Sequence, residues 1–169
     1  GQFFTNDTKK IYGLAQWNGT TWDSVGYSFQ NTNNNGSGTV NAIALDGSNM
    51  YVGCNYVKVG GKTIPNLGKW NGTSWSAVDT LLDEAVTNVV VVNGELFATG
   101  IHRQFQTSNP VIKTLARFIN GKWEGIGLTS GYASAGIEKI AAYQGEIIAV
   151  GRQITGFGNV SAKNVGRYV

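Results

Sequence analysis

The sequence has one cysteine, Cys54, and one histidine, His102, among its 169 residues. A single cysteine excludes an intrachain disulfide and a cysteine metal cluster, and a single histidine excludes a multi-histidine zinc or copper site built from this chain alone. A strained GxSxG nucleophile turn and an alternating acidic calcium loop are also missing. We therefore expect no metal, no cofactor and no catalytic residues, and we predict that the chain is not an enzyme.

Charge is also scarce, since charged residues make up 14% of the chain against about 25% in typical soluble domains. The net charge is +3, and the lysines and arginines are scattered, so nucleic acid is not an expected partner. The longest apolar run has four residues, 89–92, which excludes direct membrane insertion through an apolar helix. The chain starts with neither methionine nor a signal peptide. Few charges among many Asn and Thr residues favour an extracellular or cell-surface location.

A motif of four residues recurs at intervals of 53, 48 and 50 residues. Each copy has an aliphatic residue, a small residue, a polar or basic residue and an aromatic residue. The copies are Leu14-Ala15-Gln16-Trp17, Leu67-Gly68-Lys69-Trp70, Leu115-Ala116-Arg117-Phe118 and Val165-Gly166-Arg167-Tyr168. Self-similarity at a fixed period of this size indicates a repeat architecture.

Each motif copy except the first follows a segment that reads as strand, two-residue turn, strand. These segments are 40–54, 87–100 and 137–151, with turns predicted at Asp46-Gly47, Asn93-Gly94 and Gln144-Gly145. The four-residue motif then forms a third strand, and an Asn-Gly turn leads to a fourth. Four short antiparallel strands per repeat of about fifty residues predict an all-β fold made of β-propeller blades.

The repeated pattern of "YVGC", a loop and "LGKWNGTSW" resembles the tandem propeller repeats of large bacterial cell-surface and secreted proteins. It is distantly similar to Kelch and galactose-oxidase propellers. The resemblance covers essentially the whole chain and implies a propeller fold. It implies no single function, because such blades serve adhesion, scaffolding and catalysis alike.

The repeats divide residues 1–169 into one propeller segment of about three and a third blades. We predict a partial blade at 1–26, blades at 39–78 and 86–127, and a partial blade at 137–169. Closed propellers have typically four to eight blades. We therefore expect the ring to be completed by further blades of the same longer chain or by neighbouring copies.

Function is expected on the long, variable connections at one end of the blades, because variable loops on a rigid scaffold usually carry binding. These connections are 4–12, 56–66, 102–114 and 153–164 within the repeats and 27–38, 79–85 and 128–136 between them. Local packing or plain solvation is the alternative for each side chain there. The candidate ligand-binding residues are Tyr56, Lys58, His102, Arg103, Phe105, Arg152 and Phe157.

The words "WNGTTW" and "WNGTSW" place two aromatic residues on either side of an Asn-Gly turn. A sugar clamp is one interpretation, but the third copy keeps the aromatic spacing while the letters between change. We therefore predict a structural staple, in which the two rings pair across strands. The staple residues are Trp17, Trp22, Trp70, Trp75, Phe118 and Trp123.

Two further patterns have both a functional and a plain interpretation. Asn-x-Ser/Thr sequons are glycan acceptors if the protein is eukaryotic and secreted, and chance products of an Asn-rich chain otherwise. They occur at Asn6, Asn18, Asn35, Asn71 and Asn159. One repeat position holds Gln16, Lys69, Arg117 and Arg167, which would suit an anion-binding ring. The alternative is that their stems lie along apolar strand neighbours and that their head groups are solvated or paired with a carboxylate of the next blade.

Three functions stay open. The first is a noncatalytic extracellular propeller module with a structural or adhesive role in a larger surface protein or filament, with glycans or surface proteins as further partners. The second is a lectin-like carbohydrate-binding propeller. The third is an enzyme whose catalytic residues lie partly outside this segment.

Overall fold

The computed structural model describes residues 10–33, 36–79, 85–100, 115–126, 128–129, 136–152, 154–157, 160–161 and 163–168. Within them the chain is all-β, as predicted, and every strand pair is antiparallel. The described residues contain no helix that is long and apolar enough to cross a membrane.

Four sheets follow one another along the chain, and three of them carry the repeat. Sheet I has two strands, β1 (Gln16–Trp17) and β2 (Trp22–Asp23). Sheet II consists of β4 (Thr39–Asp46), β5 (Asn49–Asn55), β8 (Leu67–Trp70) and β9 (Trp75–Ala77). Sheet III consists of β10 (Val86–Val92), β11 (Glu95–Gly100), β12 (Leu115–Ile119) and β13 (Lys122–Gly125). Sheet IV consists of β15 (Gly136–Tyr143), β16 (Glu146–Arg152) and β19 (Val165–Tyr168).

Two small sheets are built from the connections between these strands. Small sheet A pairs β3 (Phe29–Asn31) with β6 (Val57–Val59), and β6 with β7 (Lys62–Ile64). Small sheet B pairs β14 (Leu128–Thr129) with β17 (Gly156–Phe157), and β17 with β18 (Val160–Ser161). The long connections 27–38 and 56–66 thus both contribute short strands to small sheet A.

The first hairpin of each repeat closes on a two-residue loop. Asn93 and Gly94 have φ of 52° and 79°, and Gln144 and Gly145 have φ of 50° and 79°, as a type I′ turn requires. In sheet II the loop lies one residue later than predicted, because Asp46 pairs with Asn49 and belongs to the strand. There only Gly47 has a positive φ, 58°, which is the pattern of a type II′ turn.

Three hydrophobic cores lie along the row of sheets, and alternate side chains of each strand point to opposite faces. The first core packs Leu14 and buried residues of small sheet A against Val52 and Trp75 of sheet II. The second joins Ala44 and Leu67 of sheet II to sheet III, and the third joins sheet III to sheet IV. Sheet III is thus packed on both faces by the neighbouring sheets, and sheet II is packed by sheet III on one face and by small sheet A on the other.

Candidate functional site

Small sheet A holds one of the predicted ligand-binding residues, Lys58, and a second, Tyr56, directly precedes its strand β6. Phe29, Val57 and Ile64 are buried in the first core. Side chains alternate across a sheet, so the opposite face presents the row formed by Gln30, Lys58 and Thr63, which pair with one another. The small sheet therefore offers a polar row on a rigid base.

Tyr56 lies immediately before this row and is half-exposed. Its backbone has a positive φ of 36°, and its N–H donates a 3.1 Å hydrogen bond to Oδ1 of Asn66. Asn66 is itself buried, and its carbonyl accepts a bond from the N–H of Cys54 at 2.8 Å. These bonds hold the backbone of Tyr56 in place, and its side chain is half-exposed two residues before Lys58.

The remaining predicted ligand-binding residues do not join this group. Arg152 is exposed and forms an ion pair with Glu138 of the neighbouring strand. Phe157 belongs to β17 of small sheet B, and only its backbone is described. His102, Arg103 and Phe105 lie outside the described residues.

The predicted staple residues form three cross-strand pairs. Trp17 faces Trp22, Trp70 faces Trp75 and Phe118 faces Trp123 in the strand registers. The ring centroids of these pairs are 5.5, 5.4 and 5.0 Å apart, and the rings are tilted by 52°, 42° and 53°. Each pair contacts across its Asn-Gly turn at a distance typical of aromatic interactions.

The second member of the pair is the buried one in sheets II and III. Trp75 packs edge-on against Phe29 with centroids 4.8 Å apart, and its Nε1–H donates a 2.8 Å bond to the carbonyl of Val25. Trp123 is buried in the second core. In sheet I, by contrast, both Trp17 and Trp22 are half-exposed. Repeat position therefore does not fix exposure by itself.

Two of the five sequon asparagines lie in described turns, and both are exposed. Oδ1 of Asn71 accepts bonds from the N–H groups of Thr73 and Ser74 at 3.0 and 2.8 Å. Oδ1 of Asn18 accepts the two corresponding bonds in sheet I, each 2.9 Å long. The asparagine thus stabilises its own turn, which is an architectural reason for its presence. Asn6, Asn35 and Asn159 lie outside the described residues.

The repeated polar position is occupied by side chains that interact within their own sheet. Arg117 contacts Glu124 at 3.0 Å and Glu95 at 3.5 Å, and the hydrogen bond that its guanidinium donates to the Glu124 carboxylate raises the pKa of the guanidinium. Arg167 pairs with Glu146 at 3.2 Å. The expectation that carboxylates of the next repeat supply the partners is wrong, because neighbouring strands of the same sheet place theirs closer.

Lys69 stands at the same repeat position in sheet II. Its Nζ lies 5.6 Å from the ring centroid of Tyr51, the residue directly opposite on β5. Gln16, in sheet I, is uncharged and exposed. Because Arg117 and Arg167 are paired with carboxylates and Lys69 lies over the aromatic ring of Tyr51, this repeat position is poorly suited to a circle of anion-binding sites.

Cys54, which stands where the corresponding segments end in Gly100 and Gly151, is fully buried. Burial raises the pKa of its thiol from the ordinary 9.0 to about 12, so the thiol stays protonated and unreactive at neutral pH. Within the described part of the chain, no three side chains of His, Cys, Asp or Glu lie close enough together to hold a metal ion.

No protein-family model matches the chain, and no curated protein matches its sequence.

Proposed function

We propose that sheets II, III and IV are successive blades of a β-propeller. We further propose that the chain is a noncatalytic extracellular module with a structural or adhesive role in a larger surface protein or filament. One observation carries the propeller arrangement: the first strands of successive sheets approach one another and are joined by side-chain hydrogen bonds.

Two such bonds join first strands, and a third bond joins the hairpin loops of successive sheets. Nδ2 of Asn41 donates to the carbonyl of Val86 at 3.0 Å, and Nδ2 of Asn88 donates to the carbonyl of Glu138 at 2.8 Å. At the hairpin end, Nδ2 of Asn93 donates to the carbonyl of Gly145 at 3.1 Å. First strands that converge while later strands lead outward give the radial layout of propeller blades.

The interactions of the residues that recur in each repeat support the structural role. The aromatic pairs, the turn asparagines and the basic residues at the repeated position all have partners that stabilise the sheets. A surface with few charges and many Asn, Thr and Ser side chains suits an extracellular environment.

The proposal is tested on the intact native polypeptide. Electron microscopy should show a ring-shaped domain, and antibodies against residues 1–169 should label unpermeabilised source cells. An extended rod without a ring would contradict the propeller arrangement. Labelling only after permeabilisation would contradict the extracellular role.

A lectin-like role is the second candidate, and small sheet A favours it. Tyr56 provides a half-exposed aromatic side chain, and Lys58, two residues later, provides a hydrogen-bond donor, a combination of residue types that carbohydrate sites use. A glycan array tests this role with Tyr56→Ala as the site variant and Thr73→Ala, in the turn between β8 and β9, as the control. Binding to a defined sugar that Tyr56→Ala abolishes and Thr73→Ala retains would favour the lectin over the purely structural module.

A further inference from the structure

Exposed turns of this chain contain the dipeptide Asn-Gly, and four such pairs lie within the described residues. They are Asn18-Gly19, Asn71-Gly72, Asn93-Gly94 and Asn120-Gly121. The asparagine of a fifth pair, Asn35, lies outside the described residues and does not enter the comparison. An asparagine side chain loses its amide group most readily before glycine, because glycine has no Cβ to shield its backbone nitrogen. The four pairs have the same residue types, so any difference between them in the folded chain comes from the structure.

Loss of the side-chain amide at such a pair is an intramolecular substitution. The backbone nitrogen of glycine attacks Cγ of asparagine, the Cγ–Nδ2 bond breaks, and ammonia leaves with the proton of the glycine N–H. The imide ring that results takes up one water molecule and opens to aspartate or to isoaspartate, whose main chain runs through the side-chain carbon. Cγ must come within about 3–3.5 Å of the glycine nitrogen, so hydrogen bonds that hold the carboxamide in another orientation have to break first.

In sheets I and II the carboxamide is held by its own turn. Oδ1 of Asn71 accepts bonds from the N–H groups of Thr73 and Ser74 at 3.0 and 2.8 Å, and the hydroxyl of Thr73 donates a further bond of 2.9 Å. Oδ1 of Asn18 accepts two backbone N–H groups of its turn, each at 2.9 Å. Because the side chain closes these turns, its movement onto the glycine nitrogen would open them.

In the first hairpin of sheet III the carboxamide is held by the next sheet. Nδ2 of Asn93 donates a 3.1 Å bond to the carbonyl of Gly145, which lies in the first hairpin loop of sheet IV. The reaction at Asn93 therefore has to break one hydrogen bond between sheets. Asn93 is held less firmly than Asn18 and Asn71, whose oxygens each accept at least two bonds.

Asn120, between β12 and β13 of sheet III, differs from the other three. Its side chain is exposed, and no hydrogen bond holds its carboxamide within the part of the chain that the structure describes. The loop itself is closed by the backbone, because Ile119 pairs with Lys122, and Asn120 and Gly121 have positive φ of 51° and 75°. The carboxamide of Asn120 can thus rotate without breaking a side-chain bond.

We propose that Asn120 is a spontaneous deamidation site of the folded chain and that it reacts before Asn18, Asn71 and Asn93. Each event adds one negative charge and lowers the formal net charge of +3 by one unit. Isoaspartate also lengthens the main chain of the two-residue loop, so this product should disturb the register of β12 on β13. The inference concerns a modification and is independent of the proposed function.

Peptide mapping by mass spectrometry measures the rate at each site. The chain is kept at mildly alkaline pH, once folded in buffer and once unfolded in guanidinium chloride, and each sample is then digested with trypsin. Asn120 is released in the short peptide 118–122, and fragment spectra assign the mass change at the other sites. The unfolded sample gives the intrinsic rate of each pair, and a digest made at zero time corrects for conversion during digestion.

The four sites should react at similar rates in the unfolded chain and at different rates in the folded one. Folding should leave Asn120 the fastest of the four and should slow Asn18 and Asn71 at least about tenfold relative to it, because at least two hydrogen bonds hold each of their carboxamides. Asn93 should lie between these limits. If Asn18 or Asn71 reacts as fast as Asn120 in the folded chain, their N–H donors do not protect and the proposal is overturned.

Asn120→Gln is the control for the site itself. Ring closure from glutamine forms a larger, slower-forming ring, so peptide 118–122 should stay unmodified while the other sites keep their rates. Gln144 occupies the same kind of loop in this chain with a φ of 50°, so glutamine fits there, and circular dichroism checks the fold. A mass change in this peptide at the wild-type rate would overturn the proposal. Equal slowing of Asn120 and Asn71 by folding would overturn it too, since the loop backbone alone would then protect.

Discussion

Replacing Trp75 with alanine should be among the most damaging single substitutions in this chain. The indole of Trp75 is buried in the first core, contacts the ring of Phe29 and donates its Nε1–H to the carbonyl of Val25. Truncation of a buried tryptophan to alanine costs about 3–5 kcal/mol, which includes the cavity left behind. Leaving the Val25 carbonyl without its donor adds about 1 kcal/mol. We expect a loss of about 5 kcal/mol in the free energy of unfolding.

Trp22 is the matched control, because it has the same residue type, the same repeat position and a cross-strand aromatic partner. Its side chain is half-exposed, so Trp22→Ala should cost only about 1 kcal/mol, mainly from the contact with Trp17. Urea unfolding followed by far-ultraviolet circular dichroism measures both values at a low protein concentration, where association does not contribute. The slope of the unfolding free energy against urea should be unchanged.

A less disruptive variant, Trp75→Phe, tests the same reasoning if Trp75→Ala does not fold. Trp75→Phe keeps an aromatic ring against Phe29 and removes the hydrogen bond and part of the buried surface, so it should cost about 2 kcal/mol. Equal losses for Trp22→Ala and Trp75→Ala would refute the reasoning, since neighbouring sheets would then contribute nothing to the burial of the motif. A loss below about 1 kcal/mol for Trp75→Ala would refute it too.

Three further predictions concern the contacts between sheets and the buried thiol. Asn88→Ala should lower the free energy of unfolding by about 1–3 kcal/mol, because the carbonyl of Glu138 loses its donor; an unchanged urea midpoint would contradict the bond between first strands. Gly53→Ala should lower the free energy of unfolding by about 1–3 kcal/mol, because the added methyl group would lie 2.9 Å from Cγ1 and 3.0 Å from the carbonyl oxygen of Val86. A thermal midpoint at the wild-type value would argue against the packing of sheet II on sheet III. Between pH 9.0 and about 12 the folded chain keeps the proton of the Cys54 thiol while the unfolded chain loses it. The free energy of unfolding should therefore fall across that window by about 1.4 kcal/mol per pH unit relative to Cys54→Ala. Parallel pH profiles of the two proteins would show that the thiol is not buried as described.

Local turn chemistry was readable from the sequence, and its one error has a local cause. Asn93-Gly94 and Gln144-Gly145 form the predicted two-residue loops because both residues adopt positive φ. At Asp46-Gly47 the same signal lies one residue too early, since a single glycine is sufficient for a turn with one positive φ and the loop there is Gly47-Ser48. Pairing register, which depends on both strands, decides between the two placements.

The small sheets could not be read from the sequence, because they depend on pairing between distant segments. Phe29 pairs with Val59, thirty residues further along, and each strand of small sheet A has only three residues. Alternation over three residues is too short to distinguish a strand from a loop. The sequence predicts Tyr56 and Lys58 as loop residues, yet Lys58 lies in a strand and the backbone N–H of Tyr56 donates a hydrogen bond to Asn66.

The exposure of Trp22 bears on the search for a sugar ligand. An exposed tryptophan pair beside an Asn-Gly turn has the form of a carbohydrate platform, but the corresponding pair of sheet II is a packing element, because Trp75 is buried in the first core. A glycan screen should therefore compare Trp22→Ala with Tyr56→Ala. Loss of a sugar signal only in Trp22→Ala would place the ligand on the tryptophan pair of sheet I, whereas loss only in Tyr56→Ala would place it beside small sheet A.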